Sequence, residues 1–275
     1  MSLANKFLFT ELTDTGKIRD HNEDAIGTNR DIGLCVLADG MGGYNAGEVA
    51  SSIAIKVVTE LVAEAVTREE RNEIEKDTGL MRQTIILRDA ISRANKIILQ
   101  TAQSQASCEG MGTTIVACMF FDNQLSVAHI GDSRLYRVRN NKLEQITMDH
   151  SLLQELVDRG LYSKEEAEKS TNRNYVTRAL GIEAVVEVEV QEVTVETDDI
   201  YLLCSDGLCD MVDDEEIHLT ISTFSANLEQ VGQQLIQLSN DHGGKDNISI
   251  ILTQILEPFP AKLSLLKRIK QLFGK

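Results

Sequence analysis

The strongest constraint on the fold of this 275-residue chain is that its strand-like runs come in clusters and its helix-like stretches come in clusters. Short runs rich in Val, Ile, Leu and Tyr, each closed by Gly, Asn or Asp, read as strands over 33–38, 114–121, 125–130, 135–139, 185–195, 200–204 and 248–256. Asp122-Asn123 stands between two such runs, and Asn140-Asn141 follows the run at 135–139 within Val138–Leu143. Asn and Asp tolerate the left-handed backbone of a tight hairpin, so turns are expected there. Apolar residues at spacings of three and four predict helices over 46–65, 80–104 and 228–239. Parallel sheets demand strict alternation of strand and helix, which this pattern lacks. It predicts an α+β domain in which antiparallel sheet is covered by helices.

The chain is long enough for a sizeable core and shows no internal linker, so 1–257 is read as one domain. Within it, 150–181 is more polar and carries a Glu/Lys-rich stretch at 163–169, the mark of a flap inserted between strand clusters. Pro258 and Pro260, the only prolines, introduce a separate tail. Residues 261–275 hold Lys262, Lys267, Arg268, Lys270 and Lys275 with no acid, and Leu265, Leu266, Ile269, Leu272 and Phe273 fall on one helical face. A basic amphipathic helix of this kind suits an anionic membrane surface, an acidic partner or the chain's own acidic body.

The formal charge of -16, from 27 Lys+Arg against 43 Asp+Glu, argues against nucleic acid as a partner. The five cysteines form no CxxC pair, and Cys35, Cys118 and Cys204 lie in apolar runs, so reduced core thiols are expected. No signal-peptide pattern and no apolar run of about 18 residues is present. A cytoplasmic protein is the expectation, with the tail allowing contact with the inner face of the membrane.

Chemistry is suggested by aspartates in one recurring place. Asp39, Asp132 and Asp206 each follow an apolar run, Asp246 just precedes one, and glycines adjoin them at Gly40, Gly131, Gly207 and Gly244. On antiparallel sheets, strand ends and strand starts share an edge, so these acids would converge. Clustered carboxylates in a partly dry site repel one another and lose hydration, and a cation would offset both costs. With oxygen donors alone, the ion would be hard, Mg²⁺ or Mn²⁺. Upstream, Arg19-Asp20-His21-Asn22-Glu23-Asp24 is a dense polar cluster. Its guanidinium would grip phosphate oxygens, and Glu23 and Asp24 would hold waters of the metal shell.

Taken in order, Arg19-x-x-Asn22-Glu23-Asp24, Asp39-Gly40-Met41-Gly42-Gly43, Gly112-Thr113-Thr114, Gly131-Asp132-Ser133-Arg134, Thr177-Arg178-Ala179-Leu180-Gly181, Ser205-Asp206-Gly207-Leu208 and Gly244-Lys245-Asp246-Asn247 closely resemble the metal-dependent, type 2C protein phosphatases in their compact bacterial form. The resemblance covers about residues 8–255. It implies a four-layer αββα sandwich and a serine/threonine phosphatase working with two Mn²⁺ or Mg²⁺ ions and a weaker third. By resemblance, Asp39 bridges two ions and Gly40 offers its carbonyl. Asp206 and Asp246 hold the first ion, and Asp132 joins Asp206 at the third. Arg19 binds phosphate. Where eukaryotic members carry a histidine thought to protonate the leaving group, this chain has Met41, as compact bacterial members do, and His21 is a weak substitute.

The expected reaction is in-line attack on phosphorus by water held between two ions, with no covalent intermediate. No Cys-x5-Arg loop, Asp-x-Asp pair or P-loop offers another route. Phosphoproteins are the implied substrates and a bacterial Ser/Thr kinase the implied counterpart, with a monomer as the default. The competing readings are a silent binding module on the same scaffold and a hydrolase of small phosphoesters.

Overall fold

A computed structural model describes residues 3, 5–43, 46–68, 74–163, 166 and 175–260. In chain order its elements are β1 (Phe7–Asp14), β2 (Asp24–Asn29), β3 (Leu34–Met41), α1 (Ala46–Arg68), α2 (Arg82–Ser104), β4 (Gly112–Thr113), β5 (Ile115–Phe121), β6 (Gln124–Ile130), β7 (Arg134–Arg139), β8 (Lys142–Gln145), α3 (Leu152–Asp158), β9 (Glu189–Thr194), β10 (Ile200–Cys204), α4 (Asp206–Cys209), α5 (Asp214–Phe224), α6 (Leu228–Asp241) and β11 (Ile248–Ile255). A 3-10 turn, Ala106–Cys108, follows α2.

Two antiparallel sheets result. One is five-stranded in the order β1-β11-β10-β7-β8; the other runs β2-β3-β5-β6-β9, with β4 as its sixth strand paired to β3. Alternation along single strands explains the layers, because successive side chains of a strand point to opposite faces. Leu34, Val36 and Ala38 pack against α1 and α2, through residues such as Ala54, Val58, Leu87 and Ile91. Cys35 and Leu37, from the same strand, meet Tyr201, Leu203 and Ile251 between the sheets. On the other sheet Leu202, Cys204, Ile250 and Leu252 turn outward onto Ile217, Ile221, Val231 and Leu235 of α5 and α6. The architecture is the expected helix-sheet-sheet-helix sandwich. Burying each such Leu, Ile or Val contributes about 1.5–3 kcal/mol before entropy is charged against it.

Both anticipated hairpins form, with positive φ at Asp122, Asn123, Asn140 and Asn141. The strand expected over 185–195 is shorter, Glu189–Thr194. Its partner β6 offers a ladder only from Gln124↔Thr194 to His129↔Glu189, and Val185 is left 82% exposed. At the end of the chain Phe259 is buried against Phe7 and Phe120, and its N–H donates to Asn123 Oδ1 at 2.7 Å. The folded body therefore runs through Phe259. The basic stretch 261–275 and most of the charged stretch 163–169 lie outside the described residues.

Candidate metal centre and phosphate site

Strands β3, β6, β10 and β11 bring the anticipated aspartates to one edge of the sandwich. Asp39 lies near the end of β3, two residues before Met41, and the antiparallel register sets Asp24 directly opposite it on β2. Like charges facing across a ladder destabilise it, so this pair alone signals a site built to be neutralised. Asp39 is held by its backbone: its N–H donates to Thr114 Oγ1 at 3.1 Å, and its carbonyl accepts from Thr114 N–H at 2.9 Å and Thr113 Oγ1 at 2.8 Å. Next to it Gly40 leaves no room for a side chain, since a Cβ there would lie 2.1 Å from Gly47 O and 2.6 Å from Glu23 O. This tight backbone crossing presses the start of α1 and the acidic segment around Glu23 onto the site.

Asp206 opens α4 directly behind β10, and its neighbour Gly207 would carry a Cβ 2.0 Å from Asn247 O. Asp246 precedes β11, and Arg19 reaches it with Nη2 at 2.6 Å. Arg19 is placed by its own loop, where Lys17 and Ile18 donate N–H groups to Gly244 O at 2.7 and 3.2 Å. Asp132 follows β6 and is 7% exposed. Every residue anticipated for the site (Arg19, Glu23, Asp24, Asp39, Gly40, Asp132, Asp206 and Asp246) stands on these segments.

The same proximity governs the electrostatics of these groups. Loss of hydration, followed by the charges of Asp24, Asp206, Asp132 and Asp246, holds the Asp39 carboxyl well above the ordinary range. Asp206 is raised likewise by loss of hydration and then by Asp132, Asp210, Asp246 and Asp24. Asp24 is pushed up to about 7 by loss of hydration, although Ser249 and Ser205 hydroxyls pull the other way. Asp132 is pushed up to about 7 by loss of hydration and the charge of Asp149. Arg19 is lowered by partial burial, but Asp246, Glu23 and Asp39 together raise it above its ordinary value. Oxygens Asp24 Oδ1 and Asp206 Oδ1 are buried with no hydrogen-bond partner. Unpartnered buried carboxylate oxygens that repel one another fit a divalent cation, with oxygen donors suited to Mg²⁺ or Mn²⁺.

Several contributors escape sequence reading. Asn247 receives Glu23 N–H on Oδ1 at 2.8 Å and donates through Nδ2 to Thr15 O and His21 O, both at 3.0 Å, so one amide pins the Arg19–Glu23 loop to β11. Ser205 donates to Asp24 Oδ2 at 2.8 Å, joining the two sheets at the site. Asp210, one helical turn beyond Asp206, adds negative charge near Asp206 and Asp132, and its spacing of four is a signal the sequence does carry. His21 lies 3.5 Å from Glu23 Oε1 with its side chain 47% exposed.

Comparison with known proteins agrees with this geometry. Residues 17–252 match the family described as protein phosphatase 2C. A serine/threonine phosphatase stp of Listeria welshimeri is 40% identical over 245 residues, 88% of this chain and 93% of the relative. The crystal structure of Mycobacterium tuberculosis serine/threonine phosphatase PstP superposes with a TM-score of 0.81 at 34% identity, covering 91% of this chain and 99% of that one. A further structure of the PstP catalytic domain holds two manganese ions and gives a TM-score of 0.78 at 34% identity, over 91% of this chain and 99% of that one. Staphylococcus aureus Stp1 gives 0.80 at 37% identity, over 94% and 98%. A buried aspartate edge on an αββα sandwich, with a family match over residues 17–252, shows that the chain belongs to the protein phosphatase 2C family.

Proposed function

We propose that this chain removes phosphate from phosphoserine and phosphothreonine of other proteins at the aspartate edge, with two divalent ions, Mn²⁺ or Mg²⁺, and a weaker third. The observation that carries the reading is the set of half-buried or buried carboxylates Asp24, Asp39, Asp132 and Asp206, all raised by lost hydration and mutual charge, beside the guanidinium of Arg19. Asp39, Gly40, Asp206 and Asp246 would hold the two tight ions, and Asp132 with Asp206 the weaker one. Bound there, the ions supply an activated water as nucleophile and neutralise charge on the phosphoryl group.

The residues of the chain do the rest. Arg19 is exposed enough to turn its planar fork from Asp246 to two phosphate oxygens, fixing the phosphorus for in-line attack. Glu23 and Asp24 would hold the waters of the metal shell as acceptors, with Asp24 oriented by Ser205. Phosphoryl transfer asks mainly for positioning and charge neutralisation, and both lie within reach of this edge. A partner Ser/Thr kinase is the expected counterpart and a monomer the expected state. No described helix is long and apolar enough to cross a membrane, and the basic segment 261–275 would give contact with the inner membrane face or with an acidic surface.

The test is phosphate release from phosphoserine and phosphothreonine peptides, compared with phosphotyrosine peptides and nucleotides, in Mn²⁺, Mg²⁺ and EDTA. Metal-dependent release confined to the first two supports the reading. Preference for nucleotides would assign the site to small phosphoesters.

A further inference from the structure

Segment 150–181 leaves the body beside Asp132, and its two roots meet there. His150 donates its backbone N–H to Gly131 O at 2.9 Å, Thr177 N–H donates to His150 O at 2.8 Å and Leu152 N–H to Tyr175 O at 2.9 Å. Ser151 bridges Val176 between them. The departing and returning chains thus form a short ladder whose innermost rung is bonded to Gly131. The side chain of His150 adds a second bond to that residue, because Gly131 N–H donates to His150 Nδ1 at 3.1 Å. Gly131 has φ +106 and would set a Cβ 2.6 Å from Thr114, so this turn aims Asp132 and admits no other residue cheaply. Arg134 and Asp149, next along each chain, close the junction with Nε to Oδ1 at 3.0 Å and Nη2 to Oδ2 at 2.7 Å.

The imidazole is braced as well as bonded. With Nδ1 accepting, the proton of the neutral ring sits on Nε2, which faces Glu189 Oε2 at 3.1 Å. His129 stacks on the ring at 4.7 Å and 17°, itself anchored through Nε2 to Met148 O at 2.8 Å. His129, His150 and Glu189 bring possible ligand atoms within 4.8 Å of one another. Gly131 N–H already occupies one ring nitrogen of His150 and the proton the other, so this trio is a brace with no lone pair of His150 left for an ion.

We propose that His150 is a positioning residue for the weaker metal site: its Nδ1 fixes the Gly131 peptide, and so the direction of Asp132, and ties both to the neck of segment 150–181. The proposal rests on the reading of Asp132 as a ligand. Groups that orient metal ligands from behind commonly set affinity by about 10- to 100-fold.

His150→Asn places an amide oxygen where Nδ1 stands, whereas His150→Gln reproduces only the reach of Nε2 and leaves Gly131 N–H without its acceptor. Mn²⁺ is titrated into the chelator-treated full chain, free Mn²⁺ is read by electron paramagnetic resonance, and thermal melts check folding. Expected is a weakest class of site loosened about 10- to 100-fold in His150→Gln, held within about 3-fold of wild type in His150→Asn, and lost in Asp132→Asn, with the tight sites unchanged throughout. Phosphate release by His150→Gln then recovers at raised Mn²⁺. Glu189→Gln, which spares Gly131, keeps the weak site, so weakening there overturns the proposal even if His150→Gln does not fold. Equal effects of Asn and Gln, or none from Gln while Asp132→Asn loses the site, overturn the role of His150 alone. A weak site that survives Asp132→Asn overturns the assignment of Asp132 on which it rests.

Discussion

Strand β10 has an aspartate at each end, and the two live in opposite surroundings. Asp199, just before it, is 1% exposed and fully partnered: it accepts from Arg139 Nε at 2.7 Å and Nη2 at 2.6 Å, from Tyr201 OH at 3.0 Å and from Glu196 N–H at 2.8 Å. Asp206, just after it, has a buried oxygen with no partner and faces Asp132, Asp210, Asp246 and Asp24. One end closes a charge with a cation from the chain. The other gathers anions whose cation must come from solution. A buried carboxylate is therefore structural or functional according to whether its counter-charge is encoded in the chain.

The sharpest way to break this contrast is to neutralise each end in turn. Asp206→Asn should lower phosphate release at saturating Mn²⁺ at least about 1000-fold, roughly 4 kcal/mol of transition-state stabilisation, while raising the melting temperature of the metal-free protein by relieving repulsion. Asp199→Asn should do the reverse, costing about 1–3 kcal/mol of stability by weakening the charge-assisted bonds of a buried side chain, although Arg139 keeps Glu196 and Thr194 O, with turnover per folded molecule unchanged. Denaturant melts and phosphate release on the same preparations decide it; lost turnover in Asp199→Asn or lost stability in Asp206→Asn would erase the distinction.

A smaller effect is expected at the rim of the site. Arg19→Ala should reduce kcat/KM by about 100-fold, roughly 2.7 kcal/mol, as for loss of one donor to a developing oxyanion, and Mn²⁺ affinity should hold or improve as Asp246 is freed from its ion pair. Unchanged kcat/KM would remove Arg19 from phosphate binding.

Smaller again is a pH effect on the metal-free protein. Asp24 and Asp132 are raised to about 7, so the folded state keeps protons that the unfolded chain releases above the ordinary carboxylate range. Stability must then fall as pH rises from about 4 through about 7. Stabilisation by Mn²⁺ should grow over the same window. Melting temperatures at pH 5, 6, 7 and 8 in EDTA and in Mn²⁺ test this, and stability rising with pH in EDTA would contradict it.

The least effect is expected far from the site. Deleting 261–275 should leave hydrolysis of p-nitrophenyl phosphate unchanged, whereas deletion from Phe259 onward removes an aromatic contact with Phe7 and Phe120. Equal stability of the two truncations would place Phe259 outside the core.

What the sequence made legible follows the same division. Central strands were readable because both faces are buried, as in β10 and β11, so their apolar runs are nearly continuous. Strand β1 was missed, and β8 was implied only by the turn at Asn140-Asn141, because both are edges of their sheet and carry Thr, Glu and Lys. Strand β2 shows no alternation: all of it is half-buried, and Gly27 exists to admit Ile55, which a Cβ would meet at 2.6 Å. The aspartates and Arg19 were legible because strand ends, glycines and a dense charged segment mark them locally. Asn247 and His150 were not, since their bonds to Glu23, Thr15, His21 and Gly131 exist only once distant segments are folded together.

The aspartate edge is proposed as a divalent metal centre that hydrolyses phosphoserine and phosphothreonine. Its most direct test is phosphate release from a phosphothreonine peptide by chelator-treated protein as Mn²⁺ is added back, run beside Asp39→Asn. Expected are no release without metal, saturable recovery in the wild type and none in the variant. Release that persists in EDTA, or recovery in Asp39→Asn equal to wild type, would contradict it.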